Sequence, residues 1–374
     1  MIKLSNKKAA RRAMLGGASA IAIASLLAAC GTAPEEAPEG DGGNTDAAGG
    51  DNLACMVSDS GGFDDKSFNE LSYDGLLSGS DANGIEYKTA ESENDTVYQS
   101  NIESLVAQNC TVIFSVGFLL KDATEAAAAA NPDVNFAIID DNQIDAENVR
   151  PLIYDAAQPA FMAGYTAASY SESGKVATWG GMNIPTVTVF MDGFVAGVEY
   201  YNEQNEDDVE VLGWDLEAQD GSFTGGFEAN TQAKSMAETF ISQGADVLMP
   251  VGGPIFQPAA EAVIDAHDNG NEHIAMIGVD TDLSQSAPQY ADLFLTSVMK
   301  GLATSVEDAI TDTVNGEFDN TPFVGTLENE GVSLAPFNDF EAELPEDLMA
   351  ELDEIKQGII DGSIEVGSPS SPAI

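Results

Sequence analysis

The stretch "SDSGGFDDKSFNELSYDG" at residues 58–75 decides the fold prediction, because it joins a short apolar run to the start of a helix. The apolar run, residues 53–57, stops at Asp59, and two glycines follow soon after. Ser67 and the glutamate three residues later have the spacing of a capping box, in which each side chain bonds a backbone N–H of the other residue. The sequence therefore predicts a strand that ends near Asp59 and a helix with Phe68 in its first turn.

The same order of strand, loop and helix recurs along the chain. Apolar runs of four to six residues begin at residues 53, 111, 135, 175, 209, 246, 274 and 293. Between them, residues 98–109 and 229–244 carry apolar side chains at helical spacing. Such alternation is typical of parallel sheets that are covered by helices on both faces. We therefore predict an α/β protein with two doubly wound lobes.

Most of the predicted strands end at an aspartate or a glycine. These ends are Asp59, Gly117, Asp140, Asp141, Gly180, Gly181, Asp215, Gly252, Gly253 and Asp280. A single aspartate at such a position is often only a turn former. Ligands of open α/β sheets, however, bind beyond the carboxyl ends of the strands. So many polar and small residues at these strand ends indicate that they line a cleft in which a ligand binds.

The first 29 residues have the pattern of a secretory signal peptide. Basic residues precede an apolar run, residues 13–29, which is short and rich in alanine for a membrane span. The run ends in Leu-Ala-Ala before Cys30, which resembles the lipobox of bacterial lipoproteins, where the cysteine carries acyl chains such as palmitate. A plain signal peptide with a chance cysteine is the alternative. Arg11 and Arg12 leave a twin-arginine export route open.

Residues 30–52 form a tether, which is rich in Gly, Pro, Ala and acidic residues and has almost nothing to bury. We expect it to be a solvated, flexible spacer. The folded part then begins at Leu53. About 320 residues is more than one hydrophobic core usually serves, so the length also favours two lobes.

The mature chain is strongly acidic, and its charge excludes one class of partner. All 63 acidic residues but only 8 of the 13 basic ones follow Cys30, for a net charge of −55. Phosphates need a basic face, so nucleic acid is excluded as a partner. We interpret the acidity as a solvated surface suited to a salty habitat, in preference to an acidic functional patch.

The sequence leaves two hypotheses open for Cys55 and Cys110. Export makes a disulfide between them chemically possible, and two buried free thiols fit the sequence equally well.

The sequence argues against an enzyme and against a metal site. His267 and His273 accompany no nucleophile motif, and we assign both to structure. The mature chain contains no P-loop, dinucleotide-binding, zinc-protease or hydrolase-elbow motif. The acidic pairs at 64–65 and at Asp280 and Asp282 lack EF-hand spacing. We expect no cofactor.

The opening stretch resembles the N-terminal signature of the basic membrane protein family, whose members are lipid-anchored, nucleoside-binding receptors of ABC transporters. Seven further blocks follow in the family's order, and they begin at residues 115, 135, 159, 180, 244, 277 and 296. Together they span essentially all of the folded chain.

The resemblance implies a type I periplasmic-binding-protein fold, with two lobes joined by a multi-strand hinge. We expect the N-terminal lobe to contain residues 53–160 and roughly 290–325. The C-terminal lobe would contain residues 161–289 and roughly 326–365.

The resemblance also assigns residues to a nucleoside site between the lobes. It implies that Asp59 and Asp65 lie near the base and that Phe68 stacks on it. Asp140 or Asp141 would be a further acceptor at the base edge. Asn69 belongs to the motif, Gly252 allows a close approach to the ligand, and Asp280 and Lys300 grip the ribose hydroxyls.

One position departs from the family's pattern. The family often has a second aromatic residue just before the glycine that corresponds to Gly252, and here Leu-Met-Pro-Val stands there. Met249 is expected to replace the ring, because a polarizable thioether packs well on an aromatic face.

The resemblance thus implies a monomeric receptor at the extracytoplasmic face of the cell membrane, held there only by the lipid on Cys30. It would bind a nucleoside, with a purine expected, and deliver it to an ABC-transporter permease. A receptor of the same fold for a sugar or another small neutral ligand is an alternative. A secreted glycosidase with paired acids is a further one.

Overall fold

The computed structural model of the protein describes residues 52–372. The predicted signal peptide at 1–29, the lipidation site Cys30 and all but the last residue of the tether at 30–52 lie outside the described residues.

Fourteen strands, numbered in chain order, lie between residues 52 and 372. They are β1 (Leu53–Val57), β2 (Glu86–Ala90), β3 (Val112–Val116), β4 (Asn135–Ile139), β5 (Val149–Tyr154), β6 (Lys175–Gly180), β7 (Glu210–Leu212), β8 (Trp214–Asp215), β9 (Asp220–Gly221), β10 (Val247–Val251), β11 (Ala275–Asp280), β12 (Phe294–Lys300), β13 (Phe323–Gly325) and β14 (Val332–Leu334).

Ten α-helices occur over the same range. They are α1 (Phe68–Asn83), α2 (Tyr98–Val106), α3 (Lys121–Ala130), α4 (Ala157–Tyr170), α5 (Pro185–Asn205), α6 (Thr231–Ser242), α7 (Phe256–Asp268), α8 (Leu283–Ser286), α9 (Leu302–Asn315) and α10 (Leu348–Asp361). No helix between residues 52 and 372 is both long and apolar enough to cross a membrane.

The strands form two six-stranded sheets. The first has the order β13-β5-β4-β3-β1-β2 and is parallel throughout. The second has the order β14-β12-β11-β10-β6-β7 and is parallel except for β14. A small antiparallel pair, β8 and β9, lies apart. The prediction of two doubly wound, mostly parallel sheets is confirmed.

The apolar runs form central strands because helices cover both faces of each sheet. In β1, Ala54 and Met56 pack with Leu76 of α1 on one face. Cys55, on the other face, packs with Ile102 of α2. Side chains alternate across a strand, so a strand that is buried on both faces has no polar position to spare. This requirement explains the nearly continuous apolar runs that the sequence shows.

Helices α4 and α5 pack backbone to backbone in the second lobe. A Cβ atom on Gly164 would lie 2.0 Å from the carbonyl oxygen of Phe194, and one on Gly197 would lie 1.9 Å from that of Phe161. Only glycine fits at either position. The close contact fixes α4 to α5 from Ala157 to Gly164.

The chain passes between the two sheets three times: after β5, after β12 and between β13 and β14. The crossing segments bond to one another, with the N–H of Asp155 donating to the carbonyl of Gly325 and that of Gly301 to Gly331, both at 2.8 Å. The predicted hinge of several crossing segments is therefore present.

The crossing points correct the predicted lobe boundaries. We expected the first lobe to reach residue 160, but α4 already packs on α5 from Ala157. We also expected residues from about 290 to join the first lobe, but β12 pairs with β11 and β14 in the second sheet. The chain returns to the first lobe only after Lys300.

A disulfide joins Cys55 in β1 to Cys110 just before β3. Both cysteines are buried. Of the two hypotheses that the sequence left open, the structure agrees with the disulfide and not with two free thiols.

Candidate ligand-binding cleft

A cleft of about 550 Å³, counted with the solvent at its mouth, opens between the two sheets. Loops that follow strands of both sheets supply its lining, because the carboxyl ends of the strands face each other across the boundary. Eight of the ten predicted ligand-binding residues line it, namely Asp59, Asp65, Phe68, Asn69, Asp140, Gly252, Asp280 and Lys300.

Asp65 organises the first turn of α1. Its Oδ1 accepts hydrogen bonds from the backbone N–H groups of Ser67 and Glu70, at 2.9 and 3.0 Å. Its Oδ2 accepts from the backbone N–H and the side-chain amide of Asn69, at 2.9 and 3.0 Å. Four bonds fill the acceptor capacity of a carboxylate. Asp65 therefore lines the cleft as a positioning residue with no acceptor left for a ligand.

The predicted capping box is wrong. The backbone N–H groups of Ser67 and Glu70, which the box would have paired with each other's side chains, donate to Asp65 instead. The hydroxyl of Ser67 instead faces the second lobe, 3.3 Å from the carbonyl oxygen of Val279. The carboxylate of Glu70 accepts from the backbone N–H and the ammonium of Lys66. Ser67 thus contributes to the contact between the lobes.

Asn69 presents an acceptor to the cleft. Its amide nitrogen donates to Oδ1 of Asp59 at 2.9 Å and to Oδ2 of Asp65 at 3.0 Å. These two bonds consume both amide hydrogens and fix the orientation of the group. The amide oxygen is buried and has no partner among the described residues. A buried unsatisfied acceptor costs about 1–3 kcal/mol, which a ligand donor would recover.

Asp59 lies beside Asn69 at the end of β1. Its Oδ1 accepts from Asn69 and from the backbone N–H of Gly61 at 2.9 Å. Its Oδ2 faces Gly117, where a Cβ atom would lie only 3.1 Å away. Burial raises the pKa of Asp59 to about 6 against these hydrogen bonds, and the negative charges of Asp65 and Glu228 add to the rise. Glu228 belongs to the second lobe.

Lys300 forms an ion-pair bridge in the lining of the cleft. Its ammonium lies 2.7 Å from Oδ2 of Asp140 and 3.3 Å from Oδ1 of Asp280. All three residues are buried. Burial alone would lower the pKa of Lys300, but the two carboxylates outweigh it and raise that pKa. Burial also raises the pKa of Asp140 and of Asp280, against the ammonium, which lowers it. The bridge joins the two lobes.

Aromatic rings also line the cleft. Phe68 comes from the first lobe, and Phe190 and Phe227 come from the second. The ammonium of Lys300 lies 5.2 Å from the ring centre of Phe68 and 4.9 Å from that of Phe190. The ring of Phe68 also lies 3.5 Å from the point that a Cβ on Gly117 would occupy. The cleft thus combines aromatic rings with two clusters of polar groups.

Gly252 makes room for Phe227. A Cβ on Gly252 would lie 2.7 Å from the ring of Phe227, and the φ angle of Gly252 is +142°, which only glycine adopts without strain. We predicted that this glycine would allow a ligand to approach. The structure shows that it makes room for the ring of Phe227, and because Gly252 also lines the cleft, its approach to a ligand stays a prediction.

Met249 does not line the cleft, and the prediction that it replaces the second ring is wrong. It is fully buried and belongs to the hydrophobic core. Met249 lies two residues before Val251 on the same face of β10, and one such step moves a side chain about 7 Å back from the end of the strand. Phe227, from the loop after β9, is the aromatic residue that lines the second lobe near Gly252.

Asp141 also lies away from the main cleft. Its carboxylate accepts from the backbone and side-chain amides of Gln143, at 3.0 and 3.2 Å. It lines a neighbouring depression with Ser370 of the C-terminal tail. Successive residues point in different directions, so of the two aspartates only Asp140 reaches Lys300.

Sequence reasoning missed several residues of the lining. Phe190 lies on α5, where an aromatic at helical spacing is indistinguishable from a core residue. Phe227 lies in a loop without periodicity. The others are Gly61, Gly117, Phe118, Leu119, Ile184, Thr186, Val187, Val251, Gly253 and Pro254. Of these, Gly61, Gly117 and Gly253 carried a signal, as glycines that follow strands.

Within residues 52–372, no group of three or more histidine, cysteine or acidic side chains has the geometry to hold a metal ion.

Comparison with known proteins gives the family. Residues 53–368 match the family described as ABC transporter substrate-binding protein, PnrA-like. The chain is 29% identical over 365 residues to the CD4+ T-cell-stimulating antigen of Listeria innocua, with 94% of this chain and 96% of that protein covered. It is 28% identical over 365 residues to the ABC transporter nucleoside-binding protein BmpA of Lactococcus lactis, with 94% and 97% covered.

A solved structure agrees with the sequence relatives. The crystal structure of an ABC transporter solute-binding protein from Aeropyrum pernix superposes with a TM-score of 0.74 at 26% identity, and the match covers 84% of this chain and 92% of the other. The predicted binding-protein fold is confirmed by this likeness. The family match covers most of the chain, and its members bind substrates without being enzymes. The chain belongs to the PnrA-like, or basic membrane protein, family of ABC-transporter substrate-binding proteins.

Proposed function

We propose that this protein binds a nucleoside, with a purine as its base, in the cleft between its lobes. The observation that carries the proposal is the lining of one cleft by two polar clusters, Asp59 with Asn69 and Lys300 with its two carboxylates, together with aromatic rings from both lobes. A nucleoside has the matching parts, with a flat base, an edge of hydrogen-bonding groups and a hydroxylated sugar.

The aromatic residues suit the base. Phe68 approaches from the first lobe and Phe227 from the second. Stacking of a base on an aromatic side chain contributes about 1–3 kcal/mol in single-strand binding proteins. Rings supplied by both lobes would hold a flat ligand only when the lobes are together.

The bridge of Asp140, Lys300 and Asp280 suits the sugar. Ionised carboxylates are strong acceptors for hydroxyl donors. The ammonium keeps the two carboxylates from repelling each other and has a further N–H that is able to donate to a sugar oxygen. In the other polar cluster, Asp59 and Asn69 offer acceptors to the edge of a base.

The charge of the cleft favours a neutral ligand. Its lining has four carboxylates and one ammonium. Arg150, the one arginine after Cys30, is occupied by Asp312 and Asp319 of the first lobe. A phosphorylated ligand would need a cationic, preferably arginine-rich, site. Nucleosides therefore fit the cleft better than nucleotides.

Closure of the lobes follows from where these residues lie. Each lobe holds part of the site, so the complete set of contacts exists only when the lobes are together, and a ligand stabilises that state. We propose that the closed form is presented to an ABC-transporter permease. We further propose that Cys30 is lipidated and holds a monomeric receptor at the extracytoplasmic face of the membrane.

Calorimetric titration with nucleosides, free bases and monosaccharides tests the ligand. Adenosine, guanosine or inosine should bind to the purified protein, and ribose or glucose should not. The variant Phe68→Ala should weaken nucleoside binding, while Phe318→Leu, on the first lobe beside Arg150, should not. Binding of monosaccharides without nucleosides would overturn the proposal and favour a sugar receptor.

A further inference from the structure

The C-terminal tail, residues 367–372, follows α10 and lies against α5. The hydroxyl of Ser368 donates to Oδ2 of Asp192 at 2.7 Å, and the hydroxyls of Ser370 and Thr188 lie 2.7 Å apart. Asp192 and Thr188 both belong to α5. Part of the tail is therefore held by the second lobe.

The end of the tail reaches the first sheet. The hydroxyl of Ser371 donates to Oδ1 of Asp155 at 2.6 Å. Asp155 directly follows β5, and its backbone N–H donates to the carbonyl of Gly325, the last residue of β13. This bond continues the ladder that pairs Tyr154 with Gly325, so the backbone of Asp155 still belongs to the first sheet. Ala157, two residues later, already packs on α5. The tail therefore spans the first crossing between the lobes.

The carboxyl of Asp155 also connects the tail to another crossing. Its Oδ2 accepts from the side-chain amide of Gln158 at 2.9 Å, and the side-chain carbonyl of Gln158 accepts from the backbone N–H of Leu327 at 2.8 Å. Leu327 lies in the crossing between β13 and β14. Asp155 is buried, and a hydrogen bond in such surroundings is stronger than one in water. The tail thus binds where two crossings meet.

The helix that the tail holds also forms a wall of the cleft. Thr186, Val187 and Phe190 line the cleft from the first turns of α5. The two anchors of the tail, Thr188 and Asp192, belong to the same turns. A tail that is bonded both to α5 and to the end of β5 fixes this wall relative to the first sheet.

The lobes lie together in this structure. The hydroxyl of Ser286, in the second lobe, donates to the carbonyl of Lys66, in the first, at 2.9 Å. A rotation that separated the lobes about the crossings would move α5 relative to the first sheet. An O–H···O hydrogen bond spans only about 2.5–3.0 Å, so the bond from Ser371 to Asp155 cannot stretch to follow its two anchors apart. This bond therefore belongs to the closed arrangement.

We propose that the C-terminal tail is a strap that favours the closed arrangement of the lobes. It adds a fourth connection to the three crossings, made of hydrogen bonds and not of covalent chain, and it is released when the lobes separate. A connection that exists only in the closed state shifts the equilibrium between open and closed forms toward the closed one. The strap therefore slows the release of a bound ligand. This role goes beyond the proposed function and holds for any class of ligand that the cleft accepts.

Small-angle X-ray scattering of the ligand-free protein tests the strap. Ser371→Ala removes the bond to Asp155, and its radius of gyration should exceed that of the parent because more molecules are open. At saturating adenosine the two proteins should have the same radius of gyration, since the bound ligand closes both. Stopped-flow release of adenosine should be about two- to tenfold faster from Ser371→Ala, the range expected for the loss of one hydrogen bond.

A strap fails when either end is released, and this property separates it from independent local contacts. Ser368→Ala/Ser370→Ala frees the tail from α5 and should open the ligand-free protein as Ser371→Ala does. All three changes together should add little, because the two ends act as one coupled unit. Ser371→Thr keeps the hydroxyl and should behave like the parent. So should the matched control Ser363→Ala, at an exposed serine after α10 whose hydroxyl bonds the carbonyl of Gly358.

The outcomes distinguish the strap from the nucleoside function. Identical scattering of the ligand-free parent and Ser371→Ala would overturn the strap. Additive effects of the two ends would overturn it as well, since they would show that each contact acts only locally. The scattering of the ligand-free proteins decides the strap even if no nucleoside binds, so that failure would contradict the proposed function and not this inference.

Discussion

The ammonium of Lys300, at the end of the second sheet, lies 2.7 Å from the carboxylate of Asp140, at the end of the first. The same ammonium contacts Asp280, and all three groups are buried. Removal of one partner of a buried charge pair leaves the other charges uncompensated, which is far more costly than the loss of a surface ion pair. The bridge therefore links the two lobes through groups that are costly to leave without a partner.

Replacement of Lys300 by methionine is expected to weaken ligand binding about 30-fold or more, because truncation of a buried, hydrogen-bonded charge pair costs about 2 kcal/mol or more. Calorimetry with the best nucleoside measures the change. Lys234→Met is the matched control, since Lys234 forms its ion pairs with Glu261 and Asp265 on an exposed helix surface. Equal affinities for the parent and Lys300→Met would show that the bridge does not contribute to the site.

The two rings that line opposite lobes should each contribute to affinity. Phe68→Ala and Phe227→Ala are expected to weaken binding by about 1–3 kcal/mol apiece. Met249→Leu should leave the affinity unchanged, because Met249 lies in the core, and a swap of similar volume costs less than about 1.5 kcal/mol of stability. A loss of affinity in Met249→Leu that exceeded the loss in Phe227→Ala would show that Met249, and not Phe227, contacts the base from the second lobe.

The central strands could be predicted from the sequence because burial on both faces leaves an unbroken apolar run. Strand β2 was missed, since it lies at the edge of the first sheet and exposes most of its side chains. Strand β5 was also missed, because Pro151 interrupts its apolar pattern. An edge position and a proline both remove the signal without removing the strand.

The site was predictable where the side chains directly follow a strand. Asp59, Asp140, Gly252 and Asp280 all line the cleft, because the topology brings these strand ends together. The sequence could not predict which side chains at the start of α1 cap the helix and which face a ligand. Whether Asp65 binds a ligand or caps a helix depends on which N–H groups lie near its two oxygens, and spacing does not specify that.

The disulfide should stabilise the fold without taking part in ligand binding. It closes a loop of 55 residues between Cys55 and Cys110, and the loss of chain entropy in the unfolded state corresponds to about 4 kcal/mol. The double variant Cys55→Ala/Cys110→Ala should lose stability of that order in urea-induced unfolding. Its nucleoside affinity in the folded state should match that of the parent. Labelling of two thiols in the denatured, unreduced protein would contradict the disulfide.

Asp59 should make the stability of the protein fall as the pH rises. Its pKa is about 6 in the folded state against an ordinary value of 3.8, so between these values the folded state binds the proton more tightly than the unfolded state. The stabilisation from this proton is complete below about pH 4, is lost as the pH rises through 6, and amounts to about 3 kcal/mol.

Asp59→Asn removes that dependence, so its free energy of unfolding relative to the parent should increase by up to about 3 kcal/mol between pH 4 and pH 7. The other buried carboxyls are present in both proteins, and their contributions cancel in the difference. Urea-induced unfolding of the ligand-free proteins at each pH measures it, with Asp81→Asn, at an exposed site on α1, expected to track the parent. A difference between Asp59→Asn and the parent that stayed constant with pH would mean that folding leaves the pKa of the Asp59 carboxyl unchanged, because the folded and unfolded states would then bind the same number of protons.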